Sequence, residues 1–176
     1  MVFENILKPI SYSLGIFAMF FIVIAIYAAK LDYDSQSYCN DAVQEFVDKS
    51  RASGYISANN YNEMISKMTG TGNLYDVTIV HQSKVCYPGE TDSDFLSNYY
   101  TYTQDEILDE IFNDSGTYKM KNGDYLRVSY SLKEATFGVK LYSFFTTHTY
   151  KSIRGSYGGY VGSAEDMGNM SEDITA

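Results

Sequence analysis

Two histidines, two cysteines and 22 acidic residues are the side chains with which this 176-residue chain could do chemistry. Their spacing assembles no common reactive centre. His81 closes a predicted strand, and His148 stands in a Thr-rich stretch, far from it in sequence. A metal site ordinarily gathers several such ligands at helical or loop spacing. Glu90, Asp92 and Asp94 form the densest oxygen cluster, yet this stretch lacks the glycine and distal glutamate of a calcium loop. Asp105, Glu106, Asp109 and Glu110 read as the exposed side of a helix whose acidic start suits its dipole. Gly70-Thr71-Gly72 is not followed by the Gly-Lys-Thr of a phosphate loop, and there is no Gly-x-Ser-x-Gly. The expectation is therefore no catalytic residue, no metal ligand, no cofactor and no small-molecule substrate.

Cys39 and Cys86 carry no Cys-x-x-Cys spacing and no neighbouring His pair. They are a candidate disulfide if the domain faces an oxidising space, or otherwise two unpaired, half-buried thiols. Tyrosine is abundant, at 18 residues, while tryptophan is absent. Tyrosine joins a large contact area to a polar tip, which suits protein interfaces as well as strand faces. Tyr99, Tyr100 and Tyr102 are the candidate partner contacts. The net charge of −9 repels phosphate backbones and argues against nucleic-acid binding.

The elements that must position these groups begin with an uncharged apolar run, Leu14 to Ala29, extended by Ile10 to Tyr12. About 20 residues make ~30 Å of helix, the hydrocarbon thickness of a bilayer. Ala28 and Ala29, with Ile26 behind them, could instead serve a signal peptidase. Retention is favoured because the apolar pattern continues on one helical face through Leu31, Tyr38, Ala42, Val43, Phe46 and Val47. The predicted organisation is a leader over 1–9, a transmembrane helix over 10–30, an amphipathic stalk over 31–54 ended by Gly54, a head over 55–154 and a flexible tail over 155–176. Membrane lipid is then a partner. A short leader predicts a single-pass cell-membrane protein with the N-terminus inside and the C-terminal domain outside.

Within the head, Ser57 caps a helix over 58–68. A strand follows over 74–81, with Gln82 and Ser83 turning the chain into a short partner over 84–87. Pro88-Gly89 makes the next turn. Thr103 and Glu106 have capping-box spacing for a helix reaching about Asn113. Asn122-Gly123 predicts a hairpin between strands over 117–121 and 125–132. Alternation of Phe137, Val139 and Leu141 predicts a further strand over 137–145. From Gly155 the chain is Gly-rich and acidic and predicts disorder, with Tyr157, Tyr160 and Val161 as an alternative last strand. The fold class is α+β: a transmembrane helix continuing as a stalk, and a small head of two short helices and a mostly antiparallel sheet.

This layout resembles the pilin and pseudopilin architecture. Ala42 to Val80 and Ser115 to Val128, about a third of the chain, are similar to stretches of small pilin-like (TadE-like) proteins from Tad-type pilus or secretion loci of Gram-positive bacteria. The resemblance implies a membrane-anchored structural or assembly subunit whose partners are other pilus or secretion subunits. Cutting after Gly15 would place Phe20 where processed prepilins carry glutamate, so an uncleaved component is expected. The other class consistent with the residues is a single-span protein with a ligand-sensing extracellular domain built on the segment 92–102.

Overall fold

The computed structural model describes residues 2–86, 97–145 and 153–162. It is α+β. A long helix α1 (Val2–Ser53) leads into β1 (Tyr55–Ser57), α2 (Ala58–Thr69), β2 (Tyr75–Cys86) and β3 (Ser97–Tyr102). Then come α3 (Gln104–Asp109), which widens into a π-helical turn over Glu110–Asp114, β4 (Thr117–Lys119), β5 (Tyr125–Leu132), α4 (Phe137–Phe145) and β6 (Arg154–Tyr160). The chain divides into two compact units, Met1–Gln36 with Ala135–Ile153, and Ser37–Glu134 with Arg154–Ala176.

The first unit holds the apolar part of α1 and α4. No helix break separates the predicted leader, span and stalk, and α1 stops only where Gly54 takes φ +73° and returns its N–H to Ser50. Ile10, Leu14, Ile16, Phe17, Phe20 and Ile26 are all exposed. By length and composition this helix can cross a membrane. Residues 137–145 form a helix, not the predicted strand. Phe137, Leu141 and Phe145 recur every four residues as well as every two, so the alternation did not discriminate. Thr136 decides it, because its Oγ1 accepts the Val139 N–H at 3.1 Å as a helix cap does.

The second unit is built on a four-stranded antiparallel sheet in the order β3-β2-β5-β6, beside a two-stranded pair, β1-β4. Strand alternation puts Ile79, His81 and Ser83 of β2, and Leu126, Val128 and Tyr130 of β5, on one buried face. Against that core lie Cys39, Ala42, Val43, Phe46 and Val47 of α1, Met64 and Met68 of α2, and Ile107 and Ile111 of α3 and its π turn. The other face carries Asp76, Thr78, Ser129, Ser131, Arg154 and Ser156 around an open, polar depression. One face apolar and one polar is the usual division for an antiparallel sheet.

Three further expectations are corrected. Gln82 and Ser83 do not turn the chain. β2 runs on to Cys86 because the inward Ser83 hydroxyl finds a carboxylate partner. Asn122-Gly123 does form a turn, with Gly123 at φ +85° and the Asp124 N–H on the Lys121 carbonyl. Its flanking strands are not a hairpin, however, since β4 pairs with β1 while β5 pairs with β2 and β6. Finally, the predicted tail boundary at 155 falls inside β6, a full edge strand; residues 163–176 lie outside the described residues. The glycines that signalled disorder serve close packing. A Cβ at Gly155 would stand 2.5 Å from Asn40 Oδ1 and 2.6 Å from the Tyr130 ring, and one at Gly159 would stand 2.5 Å from the Arg51 guanidinium. Asn40 accepts the Tyr130 hydroxyl at 2.7 Å, Asp48 accepts that of Tyr157 at 3.2 Å, and Arg51 Nε donates to the Tyr160 carbonyl at 2.7 Å.

The predicted Ser57 cap forms, its side chain accepting the Asn60 N–H at 3.2 Å. The α2 helix is joined to α1 by an exposed ladder, Lys49 and Lys67 each reaching Glu45 and Glu63. Lys49 and Lys67 hold the Glu45 carboxyl down to about 2. A carboxyl depressed on folding contributes stability above its ordinary pKa and loses it as pH falls through the folded value. The ladder should therefore be intact at neutral pH and dissolve between pH 4.5 and about 2; carboxyl NMR titration checks this, with Lys67→Ala returning Glu45 toward its ordinary value. A second expectation concerns β6. A Cβ at Gly158 would meet the Leu126 backbone oxygen at 2.7 Å. Gly158→Ala should cost about 1–3 kcal/mol in denaturant unfolding, since overpacking against backbone has no rotamer escape.

Candidate functional site

The predicted partner-contact tyrosines come together on β3, an outer strand of the sheet. β3 is paired along its whole length with the distal half of β2, from His81↔Tyr102 to Cys86↔Ser97. Alternation sends Tyr100 and Tyr102 toward the inner face and Tyr99 to the opposite one. Tyr99 and Tyr100 are 56% and 51% exposed, large aromatic areas left in water. Tyr100 meets Tyr102 edge-on at 4.6 Å, and Tyr102 stacks on His81 at 5.1 Å with rings 17° apart. The helix after β3 is anchored as predicted, the Glu106 carboxylate accepting the Thr103 N–H at 2.7 Å and its hydroxyl at 3.1 Å.

Beneath the tyrosines lies a buried polar cluster. His81 Nε2 lies 2.9 Å from Asp124 Oδ2, and His81 Nδ1 lies 2.7 Å from the Tyr118 hydroxyl. Ser83 Oγ donates to Asp124 Oδ1 at 2.8 Å, and the Lys121 N–H donates to Asp124 Oδ2 at 2.8 Å. An ionised carboxylate only accepts, so Nε2 carries the hydrogen; in the neutral imidazole Nδ1 then accepts from Tyr118. Burial, then the neighbouring Tyr102 and the acidic groups Glu110, Asp124 and Glu106, push the Tyr118 hydroxyl well above its ordinary range, so it stays a donor.

Ser83, His81 and Asp124 are the residue types of a hydrolytic triad, but their order of connection differs. The serine hydroxyl rests on the carboxylate and not on the imidazole, and both imidazole nitrogens are engaged. A nucleophile needs its proton taken by a base held by a third group. Here the three side chains tie β2, the 121–124 turn and β4 into one block. Asp124, Ser83 and Tyr118 escaped sequence reasoning. The signal was present in the alternation, since a strand whose inner face reads Ile79, His81, Ser83 must find polar partners for two buried side chains.

The two cysteines are not brought together. Cys39 is a fully buried free thiol on α1. Burial raises its pKa, and its hydrogen bond with Tyr75 lowers it in part. Cys86 occupies the far end of β2, eleven residues beyond Tyr75, or about 36 Å at the rise of an extended strand. A disulfide requires Cα atoms within about 7 Å. Glu90, Asp92, Asp94 and His148 lie outside the described residues. Among the described residues, no three His, Cys, Asp or Glu side chains converge as metal ligands.

Comparison with protein-family models, with curated proteins and with solved structures gives no match to this chain.

Asp124→Ala leaves two buried side-chain donors, on His81 and Ser83, and the part-buried Lys121 N–H without an acceptor and should cost about 2–4 kcal/mol. Asp76→Ala removes a carboxylate 62% exposed and 3.6 Å from Lys133, and should stay within about 0.5 kcal/mol. Urea unfolding of the two variants side by side checks the contrast.

Proposed function

We propose that this chain is a membrane-anchored, pilin-like structural or assembly subunit of a pilus or secretion apparatus. The observation that carries the reading is the unbroken helix α1. Its large apolar side chains between Ile10 and Tyr27 are exposed, Ile24 alone among them being half-buried, while its residues from Cys39 to Ser50 bury one face in a folded core. A helix closes its own backbone hydrogen bonds, so the same element suits hydrocarbon at one end and a protein interior at the other. Hydrocarbon solvates the apolar part, and the amphipathic part serves as a stalk for the head, on the outer side of the cell membrane.

The head would engage neighbouring subunits through β3. An outer strand offers its backbone groups to an added strand, and Tyr99 and Tyr100 supply contact area at low entropic cost. A second reading, a ligand-sensing extracellular domain, draws on the polar depression lined by Asp76, Thr78, Ser129 and Arg154. That hollow is wide open on the sheet face, and none of the residues lining it belongs to the segment 92–102 that this reading requires. The aromatic edge favours assembly.

The experiment is purification of the native protein from carbonate-washed membranes in mild detergent. The full-length chain should arrive with pilus or secretion subunits attached. Replacing Tyr99 and Tyr100 by alanine should weaken that association about tenfold or more while unfolding is unchanged, as for exposed aromatic anchors. Recovery of a soluble chain trimmed near Ala28, or of monomer alone, overturns the reading.

A further inference from the structure

We infer that α4 is a second membrane contact, an interfacial helix lying in the headgroup region where α1 leaves the bilayer. This rests on the reading of α1 as a span. Within the first unit, the start of α4 is clamped to the end of the apolar run. Thr136, its cap residue, donates its hydroxyl to Asp32 Oδ2 at 2.8 Å. Asp32 is only 7% exposed, although it is the first acidic residue after the run. The Gly138 backbone comes so near that a Cβ there would stand 3.3 Å from the Ala28 carbonyl oxygen and 2.5 Å from Asp32 Oδ2. The depth of α4 along α1 is therefore set at Ala28 to Asp32.

That depth is where hydrocarbon must end. From Ile10 the helix has risen about 30 Å by Ala29, and Lys30, Asp32 and Asp34 follow. The composition of α4 fits this level. FGVKLYSFF has four aromatic residues in nine and a single charge. Phe137 is 67% exposed, Tyr142 is 42% exposed, and Lys140 is exposed as well. Aromatic rings partition to the boundary between acyl chains and headgroups, and a lysine stem can lie along them with its ammonium among phosphates. Phe137 leaves most of its ring exposed, and the clamp at the span's end holds it at the lipid surface. The partner is the bilayer interface itself. Two points of attachment also limit rotation of α1 about its own axis, which decides the face the span presents to neighbouring helices.

The chain contains no tryptophan, so a single introduced one reports alone. The full-length variants Phe137→Trp and Ile16→Trp are placed in phosphatidylcholine–phosphatidylglycerol vesicles carrying brominated lipid. Phe137→Trp should lose about half its emission to bromine near the headgroups, the depth of an interfacial helix. Ile16→Trp should lose about half to bromine near the bilayer centre, the depth of a spanning one. Tyr142→Trp is the second reporter on α4 and should follow Phe137→Trp. If Ile16→Trp is quenched while both α4 reporters are untouched by lipid and open to aqueous acrylamide, α4 faces water and the inference fails. If the α4 reporters are shielded from lipid and from acrylamide alike, protein covers them and it fails equally. If Ile16→Trp itself escapes lipid quenching, the spanning reading falls first and takes the inference with it.

Discussion

The inner face of the sheet can be covered by α1 only because two inward positions of β6 carry no side chain. Gly155 and Gly159 flank Tyr157 on that face, and the space a Cβ would take is filled by Asn40, the Tyr130 ring and the Arg51 guanidinium. Through this floor α1 reaches Tyr130, Tyr157 and the Tyr160 carbonyl. The apolar seam of Ala42, Val43, Phe46 and Val47 then closes on Ile79, Leu126 and Val128. Burial of such side chains is worth about 1.5–3 kcal/mol each, and it is realised only if helix and sheet approach closely. Polar tyrosine and asparagine tips at the margin fix the register that apolar contact alone leaves loose.

The second organising feature is polar and buried. Asp124 collects Ser83, His81 and a backbone amide, and His81 passes the connection to Tyr118. Each buried donor left alone would cost about 1–3 kcal/mol, so the set stands or falls together. It lies under Tyr102, which in turn touches Tyr100. The rigidity of the buried block is thus transmitted to the ring that lies beside the exposed edge; under the proposed assembly role, such rigidity lowers the entropy lost on binding.

Much of this was legible in the sequence where one local rule acts without competition. The single long helix, the Ser57 cap, the Thr103–Glu106 box and the alternation of β5 follow from periodicity and capping chemistry alone. The failures share a cause, which is that tertiary partners outside the local window decided the outcome. Ser83 looks like a turn residue until Asp124 is placed beside it. Phe137 to Phe145 satisfies both periods until Thr136 caps it. The RGSYGGY segment has the composition of a loose tail until Tyr130 and Arg51 are seen to need its bare backbone. Tyr99, Tyr100 and Tyr102 stood out by composition, but the strand β3 that carries them did not, because the segment shows no alternation of its own and is ordered by pairing with β2, and Asp124 hid inside a turn motif.

The connectivity also sets an order of events during synthesis. The bond between Asp48 and Tyr157 joins residues 109 positions apart, and β6 is the last described strand of the chain. A polypeptide emerging N-terminus first presents the greasy seam of α1 long before the strand that completes its berth exists. Contacts so distant along the chain close late and slowly. Until then the nascent molecule must keep that seam apart from the other greasy surfaces around it. Truncation anywhere before residue 154 would leave the strip permanently without its docking floor.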